Sequence, residues 1–174
     1  LDEAISFEVQ SIREGVLKGA SYQEYNAFRL ELTDLLKEMN AVQDVLSVST
    51  KKHKAFVQAL SRSQLAPGIL EPKLMALKTD ITKIKKMLSG SPSRSEIGER
   101  NPAGMQSYLY NAFNGMESTY GPTGLHKQSL ATAKELLKTV KARVRKMNET
   151  HISEIEDALK AAGAPYINGQ GMNN

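Results

Sequence analysis

The sequence predicts an all-α fold, an elongated bundle of long helices. Three observations carry that expectation. Two stretches of about 40 residues each repeat apolar residues in steps of three and four, the spacing that lines one face of a helix. Two shorter stretches between them keep the same period. Pro and most Gly fall at or beyond the junctions of these stretches, and both are absent from residues 22 to 66.

The chain opens differently. In "AISFEVQS" Ile5, Phe7 and Val9 alternate with polar residues, the two-residue period of a half-buried strand. Residues 1–20 are therefore read as a strand and linker. Ser21 with Glu24 then forms a capping-box pattern that starts the first helix, about 22–64. Its seam runs Tyr25, Phe28, Leu32, Leu35, Met39, Val42, Leu46, Ser49, His53, Phe56, Leu60, without a slip. "SVSTKK" is its weak point, because Ser49 occupies the seam and β-branched residues crowd there; a kink or break belongs at that place if anywhere.

"APG" at 66–68 turns the chain, and Pro72 suits the first turn of a second helix, about 70–89. Its seam is Leu70, Leu74, Leu77, Ile81, Ile84, Leu88, with Gly90 as the stop. "GSPSRSEIGER" reads as a polar loop. Asn101-Pro102 reads as a cap followed by Pro at the first position of a third helix, about 102–119, with Met105, Leu109, Phe113 and Met116 on its seam and Ala112 beside them. "YGPTG" breaks the chain, and Thr123 caps the last helix, about 124–162. That seam runs Leu130, Ala133, Leu137, Val140, Val144, Met147 and then Ile152, Ile155, Leu159, slipping by one residue near Asn148. Gly163 and Pro165 end it, and 168–174 reads as a disordered tail.

The bundle domain thus spans 21–167. The two short helices laid end to end match one long one, which favours a three-layer bundle with its middle leg interrupted at 90–101. A long hairpin with a short hairpin packed on one half, a four-helix arrangement, would leave more of the long seams in water.

Composition narrows the functional classes. The chain has no Cys, so disulfides and thiolate chemistry are excluded, and no apolar run reaches the length of a membrane span. Aromatic residues are 6% and Trp is absent, so aliphatic side chains must build the core; the net charge of +4 does not by itself indicate nucleic acid. His53 lies on a seam with Phe56 and Val57 where a second metal ligand would have to stand, and neither His126 nor His151 has a partner at ligand spacing. Glu154, Glu156 and Asp157 lie beside the seam and read as a solvated face. No metal, cofactor or catalytic residue is expected. Two features remain as candidate interaction surfaces: Tyr108, Tyr110 and Tyr120 around the third helix, and the basic stretch at 138–146, represented by Lys138, Lys141 and Arg145. Lys134 adds to the stretch, but no aromatics interleave with it and Glu135 and Glu149 bracket it, so a solvated bundle face is the reading preferred over nucleic-acid contact.

The order of features also resembles a known arrangement. The "F-x-V" strand, "AFRLELTDLLKEMNAVQDVL", a Leu-rich second helix, a Pro-containing loop, a third helix ending near "YGPTG" and a closing "EDALKAAGAPYI" are together similar to the C-terminal region of large exported proteins with sialidase-like (BNR, or Asp-box) repeats and sortilin-like propellers. These are often labelled glycosyl hydrolases. The resemblance covers roughly residues 5–167 and rests on turns and packing patterns. It implies a periplasmic or secreted setting, a strand and linker at 1–20 left from a preceding β domain, and a non-catalytic accessory domain packed on the β domains of its own parent chain. Catalytic and sugar-binding residues would then lie outside these 174 residues. A fragment deprived of its sheet could also pair with a second copy through its strand or seams. The rival expectations are a free-standing adaptor or scaffold and, behind it, an anionic-surface binder acting through 134–146.

Overall fold

The computed structural model describes residues 6–8, 16–63, 65–66, 68–163. It is an all-α helical bundle. α1 spans Tyr22–Arg62, α2 Glu71–Ser89, α3 Pro92–Glu96, α4 Met105–Glu117 and α5 Gly124–Met147. A π-helical turn, Asn148–Ile152, joins α5 directly to α6, Ser153–Ala161. Among the described residues there is no strand. Phe7, at the centre of the expected one, is exposed in irregular chain, and its neighbours at 1–5 and 9–15 lie outside the described residues, as does the tail at 168–174.

α1 runs unbroken for 41 residues, roughly 60 Å at 1.5 Å per residue. Its start is the capping box of Ser21 and Glu24: the Ser21 hydroxyl accepts from the Glu24 N–H, and the Glu24 carboxylate accepts from the Ser21 N–H at 3.0 Å. That hydrogen bond, and then Lys127 nearby, hold the Glu24 carboxyl below its ordinary pKa. The break anticipated at "SVSTKK" is absent. Ser49 is buried, its hydroxyl 2.9 Å from the Val45 carbonyl and 3.1 Å from Oδ1 of Asn148. One hydroxyl proton serves one acceptor, so both contacts are satisfied when the Asn148 amide turns its NH2 towards Ser49. The polar seam position is thereby filled by a partner on the opposite helix, and α1 has no reason to bend.

α2 and α4 together form the middle leg, and each packs on both α1 and α5. The interrupted three-layer bundle is therefore the arrangement adopted. α2 ends at Gly90, whose φ of 79° takes the chain out of the helix. The loop that follows is not wholly irregular, since α3 forms one short turn of it. Asn101 and Pro102 do not start the next helix. The Asn101 carboxamide instead accepts from the Ser91 N–H at 2.8 Å, bracing the loop, and α4 begins at Met105 with Gly104 as its N-cap. Phe113 is correspondingly off the buried face, 46% exposed, while Met105, Leu109, Ala112 and Gly115 are buried.

Gly104 is required by space. A Cβ there would stand 2.6 Å from the Gly90 nitrogen and 2.7 Å from the Leu88 carbonyl oxygen, both backbone atoms of the end of α2. Its φ of −84° suits any residue. Gly104→Ala should therefore destabilise by about 1–3 kcal/mol through the enforced separation of the two half-legs. Gly124→Ala, at the open first turn of α5 with nothing within 4 Å of the added Cβ, should be neutral or stabilising by about 0.4–1 kcal/mol. Urea unfolding of the two variants checks the contrast; equal effects would mean that the half-legs do not abut as described.

α1 and the α5–α6 rod run parallel and in register. Glu24, Glu31 and Glu38 pair with Lys127, Lys134 and Lys141, at 3.6, 2.6 and 2.8 Å. The sequence separation is 103 for the last two of these pairs. Beyond the π turn the signs reverse and the separation becomes 104, with Lys52 paired to Glu156 at 2.7 Å. The π turn thus absorbs the one-residue slip seen in the last seam. The reversal also fixes the register: sliding one rod by a heptad would keep some Glu–Lys pairs but would leave Lys52 without Glu156.

Candidate functional site

The six residues singled out from sequence do not converge. Tyr108 and Tyr110 lie two positions apart on α4, and so on opposite sides of it. Tyr108 is half-buried against the core, whereas Tyr110 is exposed. Tyr120, past the end of α4, is partly exposed, and its carbonyl accepts from the Ala20 N–H at 2.8 Å, where the amino-terminal segment crosses the turn into α5. The tyrosines therefore do not form one recognition surface.

The basic stretch is partly neutralised within the bundle. Lys134 and Lys141 are held by α1 carboxylates, and Lys138 bonds Glu135 one turn back on α5 at 3.2 Å. Lys141 and Arg145 nevertheless share a feature. They line a shallow groove of about 380 Å³ between α1 and α5, together with Glu38, Ala41, Val42, Val45 and Val144. The groove exists because the charge ladder pauses. At the heptad step after Glu38 stands Val45, and after Lys141 stands Asn148. Val45 and Val48, one turn apart on α1, are 43% and 52% exposed.

The structure also joins groups far apart in sequence. At the π turn Nε2 of His151 lies 3.2 Å from Oδ2 of Asp80 on α2, and both line a polar cavity of about 380 Å³ with Ile84, Arg143 and Lys146. A carboxylate holding an imidazole makes two of the three members of a nucleophilic triad, but no residue lining this cavity carries a hydroxyl or thiol. The pair fastens α2 to the turn. His126 is used structurally as well: its Nδ1 accepts from the Thr123 N–H at 3.1 Å, so the expected Thr123 cap is completed by an imidazole three residues on. His53 is partly buried near Leu74, and burial, followed by the charge of Lys78, pushes its pKa down.

Sequence reasoning missed a third place. Lys51 and Lys54 on α1 and Lys85 on α2 line one cleft with Gln43, Leu46, Ser47, Thr50, Leu88, Ser89 and, from the first turn of α4, Gln106. The lysines come from two helices, and Lys85 is more than thirty residues from the other two in sequence. Only the antiparallel packing of α1 and α2 brings them together, so no local spacing could have signalled them.

Among the described residues no group of three or more His, Cys, Asp or Glu is arranged to hold a metal ion, and no helix is long and apolar enough to cross a membrane. No family model matches the chain, and no curated protein or solved structure is significantly similar to it.

Proposed function

We propose that the chain is a non-catalytic helical interaction module that docks a partner on the uncharged window of its α1–α5 face. The observation that carries this reading is the pause in the charge ladder. Val45 is exposed where the heptad pattern elsewhere supplies paired charges, and it lines the groove with Ala41, Lys141 and Arg145; Val48, one turn further along α1, is exposed as well. An apolar centre flanked by Arg145 and the Glu38–Lys141 pair suits a protein surface that offers apolar side chains and a carboxylate for Arg145. The resemblance to the C-terminal region of exported sialidase-repeat proteins supplies the partner: the β domains of the same parent chain, in a periplasmic or secreted protein.

The rods support the docking role mechanically. Two parallel helices of this length, locked in register by ion pairs at both ends of the window, present a straight and preorganised face that loses little freedom on binding. The basic-surface alternative is weaker because Lys134, Lys138 and Lys141 already have carboxylate partners.

The test combines binding and activity. The coding sequence upstream of Leu1 identifies the neighbouring domains, which are then produced separately and titrated with the purified chain. A Val45→Asp, Val48→Asp double variant should retain its helical circular dichroism, since both side chains are exposed, and should bind those domains at least tenfold more weakly. Hydrolysis of aryl glycosides by the purified chain would overturn the non-catalytic reading. Binding unchanged in the double variant would overturn the assigned face.

A further inference from the structure

The cleft formed by α1, the end of α2 and the start of α4 gathers three lysines without a carboxylate partner. Lys37, Lys52, Lys73, Lys127, Lys134, Lys138 and Lys141 each have a carboxylate within 4 Å. Lys51, Lys54 and Lys85 have none among the described residues, and no carboxylate lines the cleft they share. Its volume is about 410 Å³, the scale of a small-molecule site. Three lysines lining one cleft with no carboxylate among them give it a positive potential that favours a bound anion.

We infer that this cleft is a binding site for a small, multiply charged phosphate compound of the pyrophosphate or tripolyphosphate class. The remaining lining defines what would be recognised. Thr50 and Ser89 spend their hydroxyl protons on the carbonyls of Leu46 and Lys85. Ser47 and the amides of Gln43 and Gln106 remain as neutral donors beside the three lysines, an array that suits several phosphate oxygens. The two apolar lining residues, Leu46 and Leu88, are 3% and 4% exposed, so they form a floor and offer no anchor for a docking peptide. No aromatic side chain lines the cleft to stack a nucleobase, which argues against single-stranded nucleic acid. The His53 ring, partly buried near Lys78, adds no acceptor or carboxylate to the lining. This site lies on a different face from the α1–α5 window and does not depend on the docking role.

The test is titration calorimetry of the full chain with inorganic tripolyphosphate and with inorganic pyrophosphate. The expected result is one site per chain, with affinity falling as salt rises and stronger for the more highly charged probe. Lys51→Gln, Lys54→Gln and Lys85→Gln should each weaken binding about tenfold, as loss of a charge-assisted contact would. Lys134→Gln and Lys141→Gln, which remove similar charge from the opposite face, should leave it within about twofold. Thermal melts of each variant separate lost binding from lost folding, and the three lysines are exposed enough for the fold to survive. No binding of either probe at low salt would overturn the proposal. So would binding that responds equally to all five substitutions, which denotes general charge attraction. Tighter association with duplex DNA, an acidic peptide or anionic phosphatidylserine vesicles than with tripolyphosphate would also overturn it, and would assign the cleft to that ligand instead.

Discussion

Phe56→Ala is expected to cost about 3–5 kcal/mol, a large share of the roughly 5–15 kcal/mol that holds a typical domain folded. Phe56 is 0% exposed. It sits one turn beyond Lys52, which pairs with Glu156 near the end of the α5–α6 rod, and beyond His53, which neighbours Leu74 in the first turns of α2. All three legs therefore close around its ring, with Leu74, Ile155 and Leu159 buried in the same core. Truncation removes the ring and leaves a cavity that three rigid rods cannot easily collapse. Phe113→Ala should cost about 1 kcal/mol or less, because that ring is 46% exposed and little apolar area is lost from the core. The two substitutions are chemically identical, and both positions fall on seams read from the sequence. Urea unfolding followed by circular dichroism distinguishes them; comparable losses would mean that α4 presents its Phe113 side inward.

The difference between those two phenylalanines indicates where periodicity is reliable. In α1 a strict three-four alternation over eleven positions leaves no freedom in the choice of face, and every seam residue from Tyr25 to Leu60 is buried or half-buried. α4 has only 13 residues, so Ala112 and Phe113 compete for one face with too few turns to decide between them. Size favoured Phe113, but the close approach of α4 to its neighbours selected Ala112 and Gly115. The start of α4 was illegible for a related reason. Asn-Pro is a good local start signal, but Asn101 was needed to hold the Ser91 N–H, and only Gly104 fits against the end of α2. Loop bracing and interhelical clearance leave no periodic trace. The lysines show the same limit from the functional side. Lys138, Lys141 and Arg145 stood out because they are close together in sequence, yet two of them are neutralised by carboxylates, one of these more than a hundred residues away. Lys51, Lys54 and Lys85 looked ordinary, and they are the ones that the packing of α1 on α2 leaves unpaired around one cleft.

The slip near Asn148, by contrast, was visible in sequence and has a mechanical meaning, which deletion of Glu149 would expose. The last seam steps by five from Met147 to Ile152, and the π turn is the backbone form of that extra residue. Removing Glu149, an exposed residue of the turn, reduces the step to four and lets the turn become ordinary α-helix. Every residue from Ile152 onward then keeps its place in space: Ile155 and Leu159 stay in the core, Glu156 still meets Lys52, and His151 remains one residue ahead of Ile152. The deletion is therefore expected to leave a folded protein melting within about 5 °C of the parent, a shift of the order produced by 1 kcal/mol or so. Deleting Asp44, equally exposed but in the strictly periodic α1, has no slack to absorb it. It rotates the carboxyl-terminal part of α1 by about 100°, turning Leu46, Ser49 and Phe56 off the core together and separating Lys52 from Glu156. The loss exceeds the stability of a typical domain, so that chain should not fold cooperatively at any temperature. Thermal melts of the two single-residue deletions decide the matter. If deletion of Glu149 proves as disruptive as deletion of Asp44, the π turn is a fixed structural requirement of the bundle, and the parallel register of α1 with α5 and α6 must be set by something other than the seams and the charge ladder.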